Sequence, residues 1–322
     1  MGLFLQRTFD SLSNGSAYAA IAVAISMVFR STGVLNLAQG QLAMFSTYIA
    51  VLFATTIGPG AVPRLPQRPM AFSNWVDDFG TPWPIWASIL GAIVVSMVVG
   101  AAIERFLIRP LGEKDPVPAI GATLGLYLLI ETFVRKYWGG QTRFLGSPFP
   151  DEPSDRFDIA GARLWFDTIG ITITMVAALA LLALLQRRTR LGLAFRAVTS
   201  NRVTSELVGI RVNRVIMIGW ALAAAVGALA GALIAGKINV RPDMMGRMFV
   251  FGLAAATLGG LRSPALAFVG GYLFAFAETM MGGYVGFIDS QVTLVWALAV
   301  LIVILSIRPS GLLAPTGYER TA

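Results

Sequence analysis

IGITITMVAALALLALL (residues 169–185) and VIMIGWALAAAVGALAGALIAG (residues 215–236) contain no charged residue, and RRTRLGLAFRAVTSNRVTSELVGIRVNR (residues 187–214) stands between them. The flanking runs lie close to or beyond the ~18 apolar residues that suggest a transmembrane helix. The middle stretch carries Arg187, Arg188, Arg190, Arg196, Arg202, Arg211 and Arg214 against the single acid Glu206, a net +6 out of the chain's +8. Lys and Arg resist translocation, so such an excess beside a span marks the cytoplasmic side. The stretch is long enough for two short helices, 190–200 and 201–209, with Asn201 or Thr204 as the second cap and Gly209 as a stop. A solvated basic loop lying on anionic lipid is the plain alternative. Yet Leu191, Leu193, Phe195, Val198, Val203, Leu207, Val208 and Ile210 argue for packing against protein.

The rest of the chain repeats this alternation. Its 322 residues are 56% hydrophobic and 13% charged, against about 25% charged in soluble domains. The apolar runs predict an all-α, polytopic transmembrane bundle in one domain, 1–322. Nine segments fit the pattern: 15–29, 34–57, 84–107, 118–134, 168–185, 215–235, 248–261, 264–281 and 292–307. Eight full spans plus one broken or re-entrant segment fit equally. Residues 3–13 read as a short interfacial helix, and no cleavable signal peptide is evident. Alternation from the basic loop puts 187–214 and the C-terminus in the cytoplasm and the 58–83 and 135–167 loops outside. Lys237, Arg241 and Arg247 fall outside as well, the least comfortable part of this topology.

What is missing restricts the chemistry. The chain has no Cys and no His, which removes disulfides, Cys/His zinc sites and a Ser-His-Asp triad. No catalytic residue, metal ligand or cofactor is expected. Of membrane enzymes, only aspartyl or Ser-Lys proteases stay open. No Walker A motif occurs, so the chain has no P-loop of its own for ATP. Basic residues bordering apolar spans call for membrane lipid and need no nucleic acid.

Polar groups within the spans are few. Asn36, Gln39 and Gln41 lie in Ser31–Pro63, 33 residues without a charge. In a helix Asn36, Gln39 and Ala43 share a face and Gln41 points elsewhere. They read either as interhelical glue or as the lining of a substrate pathway, and Gly33 and Gly40 permit a break in the helix. Glu278 follows Ala267, Gly271 and Ala275, a small-residue stripe, and sits ~20 Å from the inner end of its helix. An ionisable group at that depth is a functional candidate, with an ion pair or hydrogen bond near the outer interface as the structural alternative. Gly121 with Gly125, Gly227 with Gly231, and the pairs Gly259–Gly260 and Gly270–Gly271 signal close helix packing.

Four stretches together bear a resemblance: VLNLAQGQLAMFSTYIA (34–50), LGLAFRAVTSNRVTSELVGIRVNRV (191–215), TLGGLRSPALAFVGGYLFAFAE (257–278) and RPSGLL (308–313). They resemble the inner-membrane permease subunits of branched-chain amino acid ABC importers, the LivH type. The resemblance implies a bacterial inner-membrane permease with three kinds of partner: a second, homologous permease, two cytoplasmic ABC ATPases and a periplasmic substrate-binding protein. It implies that Arg196, Ala197, Asn201, Leu207, Gly209 and Ile210, with Glu206 among them, dock on an ATPase. Asn36, Ala38 and Gly40 match the family's early motif; Gly259, Gly260, Gly270, Gly271 and Glu278 match its late one. Gln41 stands where the family usually has Glu, and Ser205 where Ala is common. The insertions near Arg64–Asp78 and Phe149–Arg163 look long. Related permeases import urea or short amides, and a stand-alone secondary carrier would need intramembrane ionisable groups such as Glu278.

Overall fold

The computed structural model describes residues 2–54, 83–111, 116–284, 290–308 and 312–313. The expected external loop 58–83 lies outside them except for Trp83, as do residues 309–311 and the last nine residues. Eleven helices run along the described chain, if the π-turn at Glu104–Ile108 is counted with the helix that holds it: α1 Gly2–Thr32, α2 Gln39–Ala54, α3 Ile85–Leu111, α4 Pro116–Trp138, α5 Phe166–Arg188, α6 Arg190–Ser200, α7 Arg202–Leu207, α8 Val212–Ile238, α9 Met244–Gly259, α10 Pro264–Tyr284 and α11 Ser290–Ile307. Six of them, α1, α3, α4, α5, α8 and α10, are long and apolar enough to cross a membrane. Met244–Gly259 and Leu294–Ile307 are apolar but shorter, so eight or nine crossings is more than helix length alone establishes.

Two helices form the centre. In their most apolar windows α1 is 83% buried and α8 is 72%, whereas α3, α4, α5 and α10 lie between 28% and 33%. Within those windows both central helices are predominantly apolar and rich in alanine, as a helix surrounded by protein must be. α1 packs most extensively on α10, then on α8 and α9; α8 packs on α3 and α2. The outer helices sort residues by size. On α3, Ser88, Ala92, Ser96 and Gly100 recur every four residues and are buried, while Leu90, Val94 and Val98 form an exposed stripe. Small residues let backbones approach, and large apolar ones are left for lipid. Ser96 donates to the Ala224 carbonyl of α8 at 3.1 Å and accepts from Ser46 of α2 at 2.8 Å.

Two sequence expectations are corrected. The interfacial helix 3–13 and the first span 15–29 are one continuous helix, because nothing between Gly2 and Thr32 breaks the backbone and both halves bury a face. The second segment does not begin as a helix at Val34. Residues 33–38 are irregular, with Gly33 at φ 73° closing α1, and α2 starts at Gln39. The break is buried at Val34, Asn36 and Ala38, where protein groups can meet its backbone. Beside the helices, the described residues hold a small hairpin in the 135–167 loop, β1 Arg156–Ile159 and β2 Ala162–Trp165, antiparallel with Ile159 opposite Ala162. Its two-residue turn has positive φ at both Ala160 (50°) and Gly161 (82°), the geometry that matches strand twist. The hairpin rests on the start of α1, where the Arg163 amide donates to Gln6 Oε1 at 2.8 Å.

Candidate functional site

The Arg187–Arg214 stretch folds as two capped helices. Thr189 Oγ1 accepts from the Gly192 amide at 3.2 Å to start α6, and Asn201 Oδ1 accepts from the Thr204 amide at 2.9 Å to start α7. Of the two caps open in the sequence, Asn201 is the one used. α7 ends at Gly209, whose φ of 83° is the left-handed stop; its amide reaches the Glu206 carbonyl at 3.0 Å and the Ile210 amide reaches Ser205 at 2.9 Å. Ser205 is buried and donates back to the Asn201 carbonyl at 2.8 Å.

The apolar residues of this stretch divide between two surfaces, which the sequence pattern did not separate. Phe195 and Val198 are buried, and the Phe195 ring lies where a methyl group on Gly219 of α8 would be, 2.7 Å away. Leu193, Val203, Leu207 and Val208 point out at 63%, 68%, 82% and 70% exposure. Around them Arg196, Asn201, Glu206 and Gly209 are exposed, and Ala197 and Ile210 half-buried. The pair of helices is therefore seated on α8 by one face and presents a second apolar face to something else.

Two residues that sequence reasoning passed over connect this pair to the bundle. Arg202 of α7 donates to Asn213 Oδ1 at 3.2 Å, and the Asn213 carbonyl accepts from Arg109 Nη2 at 3.2 Å. Arg109 grips Glu104 with Nε at 3.2 Å and Nη2 at 2.7 Å, a bidentate pair with Glu104 buried. Glu104 opens the π-helical turn Glu104–Ile108 inside α3. A wide turn of this kind is a frequent mark of a functional position. The spacing of Glu104 and Arg109 by five residues was the available signal: it suits a π-turn and not an α-helical ion pair.

Of the polar residues of the second segment, Asn36 and Gln39 bond within the fold. Asn36 does not share a helical face with Gln39. It lies in the break before α2, where Nδ2 donates to Gln39 Oε1 at 3.0 Å and Oδ1 accepts from the Ala38 amide at 3.1 Å. Gln39 Nε2 reaches the Ala223 carbonyl of α8 at 3.1 Å. Gln41 is buried, and its Oε1 has no hydrogen-bond partner among the described residues. Glu278 is set apart from these three: Tyr18 of α1 donates to its Oε2 at 3.4 Å, and it lines a cavity of about 560 Å³ that none of them touches. This cavity opens where the beginnings of α1 and α5 meet the ends of α8 and α10. One wall is a closed polar set. Lys237 lies 3.3 Å from Asp167 and donates to Thr168 Oγ1 at 2.7 Å, while Ser147 donates to Asp167 at 2.6 Å. Arg241 pairs with Asp243 at 3.2 Å, and Arg247 lies over the Phe251 ring at 5.6 Å. Two of the three uncomfortable cations thus have a carboxylate, and the third an aromatic face.

The glycines also divide. Gly227 and Gly231 of α8 face α2, where an added methyl would meet Gln39 Nε2 at 2.9 Å and Thr47 Oγ1 at 2.5 Å. Gly259 abuts the Leu266 carbonyl across the α9–α10 turn, Gly270 the Ala255 carbonyl, and Gly271 the Ala19 backbone of α1. Gly260 holds φ at 108° in that turn. Gly121 and Gly125 make no such contact. Nothing described lies within 4 Å of a methyl placed on either, so no packing is made there among the described residues.

Comparison with known proteins places the sequence in a family. The family model described as "Branched-chain amino acid transport system / permease component" matches residues 7–306. The chain is 28% identical to the high-affinity branched-chain amino acid transport system permease protein LivH of Escherichia coli strain K12, over 98% of this chain and 97% of that one. It is 27% identical to the corresponding protein BraD of Pseudomonas aeruginosa, over 98% of each. A probable LivH of Methanocaldococcus jannaschii is 25% identical over 91% of this chain and 87% of its own length.

Proposed function

The chain belongs to the branched-chain amino acid transport system permease family, and from that premise we propose that it is the transmembrane permease subunit of an ABC importer for branched-chain or related amino acids. It works beside a second, homologous permease. Two cytoplasmic ATPases drive it and a periplasmic binding protein feeds it. The protein sits in the bacterial inner membrane with residues 187–214 and the C-terminus inside, in eight or nine segments.

The observation that carries this reading is the second apolar face of α6–α7, with Leu193, Val203, Leu207 and Val208 outward and Phe195 seated on α8. A loop needs one face to receive a stroke and another to pass it on. We assign Arg196, Ala197, Asn201, Glu206, Leu207, Gly209 and Ile210 to ATPase docking. The Arg202–Asn213–Arg109–Glu104 chain carries displacement into α3 and the centre of the bundle. Coupling requires that nucleotide-bound and nucleotide-free ATPases differ in contact energy with this loop. We assign Asn36, Gln39, Gln41 and Glu278 to the substrate's route, where the buried Gln41 Oε1 has no partner among the described residues.

The test is reconstitution of this chain with its companion permease, ATPases and binding protein in liposomes, offered leucine, isoleucine, valine, urea and acetamide. ATP-dependent uptake of the branched-chain amino acids is expected. Leu207→Asp abolishes binding-protein-stimulated ATPase activity while the permease pair still assembles. Uptake by this polypeptide alone under a proton or sodium gradient would refute the reading. Preference for urea or acetamide would replace the substrate and leave the coupling intact.

A further inference from the structure

The 560 Å³ cavity has a second wall, supplied by the first turns of α1. Its volume falls in the range of small-molecule pockets, about 300–1,000 Å³. Arg7, Asp10 and Asn14 follow at i, i+3 and i+7, so they share one face of the helix. Arg7 Nε and Ser13 Oγ are buried and find no hydrogen-bond partner among the described residues. Ser13 is only 3% exposed. Buried polar atoms left unmatched are costly, and both belong to residues that line the cavity. Asp10 accepts from Gln6 at 3.0 Å through Oδ1. Glu278 is held by Tyr18 through Oε2.

Charge narrows the ligand. On the opposite wall Lys237 and Asp167 cancel one another. What remains is one guanidinium, Arg7, beside the carboxylates of Asp10, Asp151 and Glu278. An anion alone would satisfy Arg7 and face three carboxylates. A cation alone would satisfy carboxylates and leave Arg7 Nε without a partner. A molecule bearing both charges on one carbon answers both. Neighbouring positions on a helix face stand about 5–6 Å apart at Cβ, close enough to hold the two ends of an α-amino acid head. Trp165, on the hairpin's second strand, gives the same cavity an aromatic surface for an apolar side chain.

We propose that this cavity is an entry site for a zwitterionic amino acid, with the carboxylate on Arg7 and Ser13, the ammonium on Asp10 and Glu278, and the side chain against Trp165. The proposal rests on the importer reading above and adds a site within this subunit, distinct from the binding protein's own.

The chain has no cysteine, so Asn14→Cys, half-buried on the cavity wall, labels without background. In the reconstituted complex lacking binding protein, leucine slows its modification by a methanethiosulfonate reagent. 4-Methylpentanoate, which lacks the ammonium, and 3-methylbutylamine, which lacks the carboxylate, do not. Arg7→Gln weakens the protection by about tenfold or more, and Arg7→Lys restores part of it. Equal modification rates with and without leucine overturn the site. So does protection by loaded binding protein but never by free leucine, which would make the cavity a protein contact. If the unmodified complex carries leucine yet shows no protection, the site alone fails. If it carries no amino acid even with the binding protein restored, the importer reading fails and takes the site with it.

Discussion

A single guanidinium, Arg109, holds three things together: the Glu104 carboxylate of the π-turn, the Asn213 carbonyl at the head of α8, and through Asn213 the Arg202 side chain of α7. Glu104 is 2% exposed and Arg109 24%, so removing one partner leaves a buried charge unmatched. Arg109→Ala is therefore expected to destabilise the protein by roughly 3–5 kcal/mol, read as a fall in the melting temperature of the purified subunit. Glu104→Gln with Arg109→Gln, which removes both charges, recovers much of that loss. If the double variant is no more stable than Arg109→Ala, charge pairing is not what holds the π-turn. Residue-scale reading of the sequence found the polar groups in the spans and missed their partners. Asn36 looked like part of a helical face, yet its amide serves the break before α2, and a break is decided by what its backbone can bond to.

Among the elements, helix contact is decided by where side chains are absent. Gly271 lies against the Ala19 backbone and Gly270 against Ala255, so α10 approaches α1 and α9 to backbone distance. Gly271→Ala forces those helices apart and is expected to cost about 1–3 kcal/mol, the usual range for overpacking, measurable as reduced thermal stability. Gly121 and Gly125 have the same spacing as Gly227 and Gly231, which face α2, yet nothing described lies within 4 Å of a methyl placed on either. Gly121→Ala should be neutral or gain up to ~1 kcal/mol from helix propensity. In the assembled permease pair, Gly121→Leu lowers pair formation if α4 is the face that meets the second permease; unchanged pairing would place the partner elsewhere. The spacing was legible in both places. Whether a helix stood opposite was not, because G-x-x-x-G describes one surface of a contact and not its partner.

For the whole molecule, the proposed sidedness joins the docking loop, the cavity and the direction of transport. The α6–α7 pair and the mouth of the cavity lie at opposite ends of α8, one by its start at Val212 and the other by its end at Ile238. Since native cysteine is absent, Thr199→Cys and Ser154→Cys report the two faces. In intact cells with a permeabilised outer membrane, an impermeant thiol reagent is expected to modify Ser154→Cys and to reach Thr199→Cys only after lysis. The reverse pattern would invert the topology and remove the coupling role of α6–α7.

Composition and the spacing of charge determined by themselves that this is a helical membrane protein, where its apolar segments fall, and which basic stretch stands apart from them, because burial in lipid demands long uncharged runs whatever their arrangement. The tertiary structure decided which helices are central, that α1 is a single rod and α2 begins late, and which face of α6–α7 stays open. It also decided that Arg7, Ser13 and Glu278, residues more than 260 positions apart at the extremes, line one cavity. Lipid rewards an apolar surface without choosing its neighbour; the neighbour is chosen by close packing and by polar atoms finding partners, and both depend on residues distant in the chain.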